Sequence, residues 1–252
     1  PWQYSLIRGT AIFLILNIYL FLNEGIKFTK NYQKIGFPGL IGGSCLGIAN
    51  ITFVFSITTT TAAVTLMMLG AMPFIAALLA YIFLKEKISK TTLASIILAF
   101  LGIIIMVGNS LSPGQISGNI AAFVMPVSFA VLILVVRKFP DVDMVPLQLT
   151  AGIFAMMVGY VMSSSINISL HDIFLGFLAG FFQIGLGFIF ITIGARTTPS
   201  AYVGIIMLTE AVFGPFWAWL FINEVPPISV IIGGGIIISA ILFEFFFSPK
   251  KK

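Results

Sequence analysis

The chain is short of charged side chains, of cysteine and of histidine, and each shortage excludes a kind of protein. Charged residues make up 8% of the 252 residues and hydrophobic ones 59%, which leaves too little polar surface to cover a soluble globule. The single cysteine, Cys45, excludes an intrachain disulfide. No cluster of metal ligands and no close pair of membrane carboxylates is recognisable, so we expect no catalytic residue, metal or cofactor.

What the sequence has instead is a series of nine long apolar runs. Each is long enough, at a rise of about 1.5 Å per residue, to cross a hydrocarbon layer roughly 30 Å thick as a helix. They therefore predict an all-α polytopic membrane protein. The runs cover residues 3 to 23, 36 to 57, 60 to 84, 90 to 108, 117 to 136, 146 to 163, 172 to 194, 199 to 222 and 228 to 247.

The basic residues fall in alternate gaps between these runs. Of the 13 lysines and arginines, all but Arg8 follow this pattern. By the positive-inside rule the gaps that hold them are cytoplasmic, which places the C-terminus inside and Pro1 outside. A nucleic-acid partner is excluded, because it needs basic residues gathered on one folded face. The residues concerned are Lys27, Lys30, Lys34, Lys85, Lys87, Lys90, Arg137, Lys138, Arg196, Lys250, Lys251 and Lys252.

The chain matches itself at an offset of 138 residues, the separation of Glu86 and Glu224. This offset places the first four runs on the last four and leaves the fifth, residues 117 to 136, without a counterpart. We therefore predict two repeats, residues 1–110 and 111–252, in a ten-helix protein of five plus five whose first helix precedes Pro1. Because five is odd, matching helices cross the membrane in opposite directions, which is an architecture of secondary transporters.

Glu210 lies at the centre of its run, where a charged side chain costs at least about 2.5 kcal/mol. Two interpretations stay open. It is either a neutral acid that hydrogen-bonds to a neighbouring helix, or a cavity carboxylate that binds a cationic group or exchanges a proton. Helical spacing puts Tyr202 and Trp217 on the same stripe, and Met68 on the repeat-related stripe. These side chains either line a binding site for an amphipathic solute or pack in the core.

Three further polar side chains lie inside the apolar runs. Gln183 and Asn50 each continue a face of glycines spaced three or four residues apart, so they either hydrogen-bond across a helix contact or meet a solute. Arg8 lies about a turn and a half inside the outer edge, from which it can extend to the interface or turn toward a carboxylate. We treat Arg8 as a structural charge or as part of the coupling machinery.

Two segments carry a resemblance to a known family: "AAVTLMMLGAMPFIAALLAYIFLKE", residues 62 to 86, and "YVGIIMLTEAVFGPFWAWLFINE", residues 202 to 224. Each leads from small residues through a proline within the helix and an aromatic stretch to a terminal glutamate. This is similar to the twin pattern of the EamA-type branch of the drug/metabolite transporter superfamily. Arg8 matches the arginine common in the family's second helix. Glu86 and Glu224 match its terminal glutamates, which we interpret as structural.

The resemblance implies a ten-helix carrier of the bacterial inner membrane with a central cavity, and many such relatives export amino acids or related metabolites. We therefore expect secondary-active transport of a small polar or amphipathic metabolite by alternating access, with export preferred. Coupling to protons through Glu210 is a second hypothesis. A lipid scramblase or a non-transporting scaffold stays open, because apolar stripes and glycine faces serve either. A homodimer stays open as well.

Overall fold

The computed structural model describes residues 1–25, 29–85, 88–108, 115–139, 141–165, 167–190, 213–221 and 223–247, and all regular secondary structure in these ranges is helical. Six of the helices are long and apolar enough to cross a membrane, and Lys90–Met106 and Leu147–Met162 are shorter apolar helices. The predicted class, an all-α polytopic membrane protein, is confirmed.

The helices follow the apolar runs closely, with two local departures from a regular α-helix. The third run is divided by a 3₁₀ turn, Leu69–Ala71, because Pro73 in the next helix has no amide hydrogen. The seventh run contains a π-helical segment, Ala179–Leu186, that nothing in the sequence predicts. The helices are α1 Trp2–Glu24, α2 Thr29–Lys34, α3 Gly36–Thr59, α4 Ala62–Met68, α5 Met72–Leu84, α6 Lys90–Gly108, α7 Ile116–Lys138, α8 Leu147–Met162, α9 Leu170–Leu178, α10 213–221 and α11 Ile228–Phe247.

Large apolar side chains are exposed along these helices. Leu22, Phe37, Ile104, Val161 and Phe247 are between 64% and 76% exposed. Faces of this kind are stable against lipid tails, whereas in water they form aggregating patches. The outward surface of the helices therefore agrees with the composition of the chain.

The chain divides into two compact units, of which the first comprises Pro1–Val54 and Val131–Thr198. In it α1 packs against α8 through glycines. A Cβ placed on Gly9 would lie 2.8 Å from the carbonyl oxygen of Gly152, and one placed on Gly159 would lie 2.6 Å from the amide nitrogen of Leu6. Because later residues of α1 meet earlier residues of α8, the two helices are antiparallel.

The second unit comprises Phe55–Ala130 and Pro199–Lys252. Its core is a cluster of buried apolar side chains that includes Met68, Phe74, Met106 and Ile237. Here α6 packs against α11 in the same close manner. A Cβ placed on Gly102 would lie 2.6 Å from the carbonyl oxygen of Gly233. The Thr92 hydroxyl, near the start of α6, donates to Oε1 of Glu244 near the end of α11 at 2.7 Å, so these helices are also antiparallel.

These two antiparallel pairs are the pairs that the sequence repeat relates. The offset of 138 residues carries α1 onto α8 and α6 onto α11. Repeat-related helices that run in opposite directions are what an inverted repeat requires. Each compact unit also combines segments from both halves of the sequence, so neither unit corresponds to one repeat.

The short helix α2 is held to α1 by a side-chain hydrogen bond. The Tyr32 hydroxyl donates to Oδ1 of Asn17 at 3.1 Å. Partial burial raises the pKa of Tyr32 to about 12 from an ordinary 10.0. The stability that the protonated Tyr32 hydroxyl contributes is therefore fully present below pH 10.0 and is lost as the pH rises through about 12.

Candidate functional site

Arg8 lies in the second turn of α1 and is 2% exposed. None of its three guanidinium nitrogens has a hydrogen-bond partner among the residues that the structure describes. The side chain is therefore enclosed by neighbouring helices and does not pair with a carboxylate of the described residues. A buried charge without a partner costs several kcal/mol, so its surroundings decide how it is tolerated.

Two aromatic rings flank the guanidinium group. Cζ of Arg8 lies 5.4 Å from the ring centroid of Tyr4 and 5.4 Å from that of Phe53. Cation–π contacts of this kind contribute roughly 0.5–2 kcal/mol each. They offset part of the lost hydration, but they replace none of the hydrogen bonds that the five N–H groups make in water.

Arg8 also forms one wall of a narrow cleft within the first unit. Residues of α1, α3 and α8 line it, and the space is too small to admit a water molecule. One cation, two neutral polar groups and four apolar side chains make up this lining. The lining residues are Ser5, Arg8, Ile12, Asn50, Ile51, Val54 and Ala155.

The two neutral polar groups of the cleft make only local hydrogen bonds. The Ser5 hydroxyl donates to the carbonyl oxygen of Pro1 at 3.2 Å, and the Asn50 amide donates to that of Leu46 at 3.4 Å. Both bonds are long. The structure thus brings together two residues singled out from the sequence, Arg8 and Asn50, in the lining of one cleft.

Ser5 lines the cleft and Tyr4 and Phe53 flank Arg8, but the sequence alone did not indicate a role for any of the three. Tyr4 had a usable signal, because residues four apart share a helix face and long side chains point toward the helix N-terminus. Phe53 had none, since its approach to Arg8 depends on how α3 packs against α1.

The π-helical segment packs against α1 at Arg8. A Cβ placed on Gly180 would lie 2.7 Å from the carbonyl oxygen of Arg8 and 2.8 Å from its Cα, so the π-helical segment contacts the backbone of α1 at this residue. π-helical turns are frequent at functional sites. Gln183, in the same segment, is exposed and does not line the cleft.

The other residues singled out from the sequence lie in the second unit or outside the described residues. Trp217 is 48% exposed on α10 and stacks on Phe221 with ring centroids 5.5 Å apart. Met68 is 1% exposed and belongs to the core of the second unit. Glu210 and Tyr202 lie outside the described residues.

Two glutamates of the second unit, Glu244 on α11 and Glu224 just after α10, have hydrogen-bond partners, whereas Arg8 has none among the described residues. Glu244 accepts hydrogen bonds from the Thr92 hydroxyl at 2.7 Å and the Ser95 hydroxyl at 3.3 Å. Oε1 of Glu224 accepts the backbone N–H of Ala63 at 3.2 Å, in the first turn of α4. The positive end of the helix dipole stabilises a carboxylate there. These contacts agree with the interpretation of Glu224 as structural, whereas Arg8 is a buried charge without a partner among the residues that the structure describes.

We expect Glu224→Ala to lower the free energy of unfolding by about 1 kcal/mol, because it removes an acceptor from an otherwise unpaired helix N–H. Glu224→Gln should retain most of the stability, since its amide oxygen can still accept the bond. Thermal unfolding in detergent, compared with Val225→Ala as the neighbouring control, measures the difference. Equal unfolding temperatures for the alanine variant and wild type would show that the contact has no capping role.

Comparison with protein families gives one result that covers nearly the whole chain. The model described as "EamA-like transporter family" matches residues 1–108 and again residues 112–246. A comparison with curated proteins gives no match.

Solved structures share the fold. One, titled "Crystal structure of protein", superimposes with a TM-score of 0.66 and 14% sequence identity, covering 100% of this chain and 89% of its own. At this identity the likeness concerns the arrangement of helices alone.

Proposed function

Because the chain belongs to the EamA-like transporter family, we propose that it is a secondary-active carrier that exports a small polar or amphipathic metabolite, either an amino acid or a related compound. Membership makes it a membrane transporter of the drug/metabolite superfamily. The solute, the direction and the mechanism are the proposal.

The observation that carries this proposal is the pocket around Arg8. A non-transporting scaffold can be built with an entirely apolar interior. A charged side chain inside a membrane helix, by contrast, usually has a charged partner or a functional role. Arg8, Asn50 and Ser5 line one cleft whose other four lining side chains are apolar. A buried, mixed polar and apolar cleft favours recognition of a specific small solute over the movement of lipids of any headgroup.

Alternating access between two inverted repeats, residues 1–110 and 111–252, is the mechanism we propose. Two observations support it. The family model matches once in each of these halves, and the repeat-related helices α1 and α8, like α6 and α11, are antiparallel. In carriers of this architecture the repeats rearrange about a site near the bilayer midplane.

The proposed solute contacts are those that the sequence singled out. Exposed side chains at Gln183 and Trp217 are accessible to a ligand, and Asn50 lies in the Arg8 cleft. Met68 is buried, so a contact with it requires a conformation in which the core of the second unit opens. Glu210 and Tyr202 complete the proposed set, and Arg8 serves as its charged member.

Counterflow into liposomes tests the proposed activity. The purified chain is reconstituted with an internal pool of one unlabelled solute at a time, drawn from amino acids, nucleosides, organic acids and polyamines, and uptake of the labelled solute is followed. Solute-specific exchange supports the carrier. Flipping of fluorescent lipids without regard to headgroup, in the absence of solute exchange, would instead identify a scramblase, and inactivity in both assays would identify a scaffold.

We expect Glu210→Gln to remove the part of transport that a pH gradient drives while leaving exchange at equal pH intact. The amide keeps the shape of the side chain and cannot release a proton. The measurement is uptake into inside-out vesicles with and without an imposed gradient, with solute counterflow as the control for folding. Gradient-driven uptake equal to wild type would refute proton coupling through Glu210.

The proposal also includes location and assembly: a bacterial inner membrane, a cytoplasmic C-terminus, and a homodimer as one candidate assembly. The distribution of basic residues supports this orientation. Labelling of single cysteines introduced at Lys138 and at Ser165, in a Cys45→Ala background, reports it directly. The two positions should react from opposite sides, position 138 from the cytoplasm.

A further inference from the structure

The uncompensated guanidinium of Arg8 points to the chemistry of the solute. We propose that Arg8 binds the carboxylate of the transported molecule, so that the carrier handles amphipathic solutes with a carboxylate group, organic acids and amino acids among them. This inference rests on the proposed transport function and specifies its substrate class.

The first step concerns the energetic deficit of Arg8. All three guanidinium nitrogens are buried and unpaired among the described residues, and the two flanking rings supply attraction without hydrogen bonds. A carboxylate supplies what is lacking, because its two oxygens accept two parallel N–H bonds from a guanidinium. Binding an anion therefore recovers energy that folding of the first unit leaves unrecovered.

The second step concerns the rest of the cleft. Ile12, Ile51, Val54 and Ala155 form its apolar walls. A small inorganic anion, which is strongly hydrated, would lose its water against these walls and regain bonds on one side only. An organic acid presents its carboxylate to Arg8 and its hydrocarbon part to the walls, so each part of the ligand meets matching groups.

The third step concerns a second unpaired polar side chain in the same unit. Gln148 on α8 is 2% exposed, and neither its Nε2 nor its Oε1 has a partner among the described residues. It is seven residues from Ala155, which lines the cleft, so the two lie on one face of α8 about 10 Å apart along its axis. A solute with a second polar group at its far end finds a donor and an acceptor there.

Access to Arg8 requires a side-chain movement, because the cleft is too narrow for water. Tyr4, which flanks Arg8, is 36% exposed, whereas Asn50, which lines the cleft, is 6% exposed. The Tyr4 ring therefore yields more readily, and its displacement exchanges a cation–π contact for a charge-assisted hydrogen bond, which is the stronger interaction.

The test uses the purified full chain in a maltoside detergent, which contains no phosphate, with benzoate and its neutral analogue benzamide as probes. Benzoate should raise the unfolding temperature of the wild type by several degrees through ligand linkage, and benzamide should leave it unchanged. Lys138→Met, which removes an exposed positive charge from the first unit, is the matched control and should respond like wild type.

Three variants address the site itself. Arg8→Met should fold at least as stably as wild type, because it removes an uncompensated buried charge, and should lose the benzoate response. Arg8→Lys keeps the charge without the planar fork, so benzoate should bind about tenfold more weakly. Asn50→Asp places a carboxylate in the cleft, which should raise the unfolding temperature and abolish the benzoate response.

The outcomes separate this inference from the transport function. An equal benzoate response in Arg8→Met, or a large loss of stability in that variant, would overturn the assignment of Arg8. Counterflow confined to solutes without a carboxylate, unaffected by Arg8→Met, would also overturn it while leaving transport intact. A benzoate response that depends on Arg8, without exchange of any solute, would support the anion site and overturn the transport function. Greater stabilisation by anionic phospholipid than by benzoate would assign the site to a lipid headgroup and overturn the solute assignment.

Discussion

Replacement of Gly233 by leucine is expected to leave little folded protein. A Cβ at this position would overlap the carbonyl oxygen of Gly102 and would lie 2.8 Å from Cβ and 2.9 Å from the amide nitrogen of Met106. Backbone atoms of a neighbouring helix cannot rotate away, so α6 and α11 must separate. Overpacking by one or two carbons costs about 1–3 kcal/mol, and leucine adds four. The cost of accommodating the leucine side chain is therefore a large part of the roughly 5–15 kcal/mol by which a folded domain is stable.

Gly235 provides the matched control for this prediction. It lies on the same helix, and no described atom lies within 4 Å of the position that its Cβ would take. Gly235→Leu should therefore yield wild-type amounts of monodisperse protein, whereas Gly233→Leu should yield aggregate. Size-exclusion chromatography of both variants in detergent makes the comparison. Similar profiles for the two would show that α6 and α11 do not pack through these glycines.

Gly180→Ala is expected to reduce solute exchange at least tenfold while the protein still folds. The added methyl group would lie 2.7 Å from the Cβ of Ala11 and 2.7 Å from the carbonyl oxygen of Arg8. The π-helical segment must then move away from α1, and Arg8 moves with its backbone. A displacement of about 1 Å at a positioned group is enough for a large loss of function.

Gly187→Ala, seven residues after Gly180, is the control for Gly180→Ala. The nearest described atom to its Cβ position is the carbonyl oxygen of Phe182 at 3.8 Å, an ordinary contact. Exchange by Gly187→Ala should equal that of wild type in counterflow. Full activity in Gly180→Ala would show that the contact of the π-helical segment with α1 does not position Arg8.

The helices could be predicted from the sequence because their signals are local. Run length, the alternation of basic gaps and the offset of 138 residues are all readable along the chain. Membrane helices satisfy their backbone hydrogen bonds internally, so a long apolar run has few other structures available to it. The division at Leu69–Ala71 also has a local cause in Pro73.

The pocket around Arg8 could be predicted only in part. The sequence identifies Arg8 and Asn50 as unusual residues inside apolar runs, but it does not indicate that they share a cleft. Their proximity depends on the packing of α1 against α3 and α8, which involves contacts between residues far apart in sequence. Phe53 illustrates this limit, because nothing within its own helix distinguishes it from a side chain that faces lipid.

Each of the two units pairs helices that are far apart in the sequence, which has a consequence for biosynthesis. Gly9 of α1 packs on Gly152 of α8, and Gly102 of α6 packs on Gly233 of α11. At a translation rate of about 5–20 residues per second, α1 waits on the order of ten seconds in the membrane before its partner emerges from the ribosome. Throughout that interval the guanidinium of Arg8 lacks the shelter of α8. We therefore expect the membrane-insertion machinery to shield α1 until α8 has been inserted.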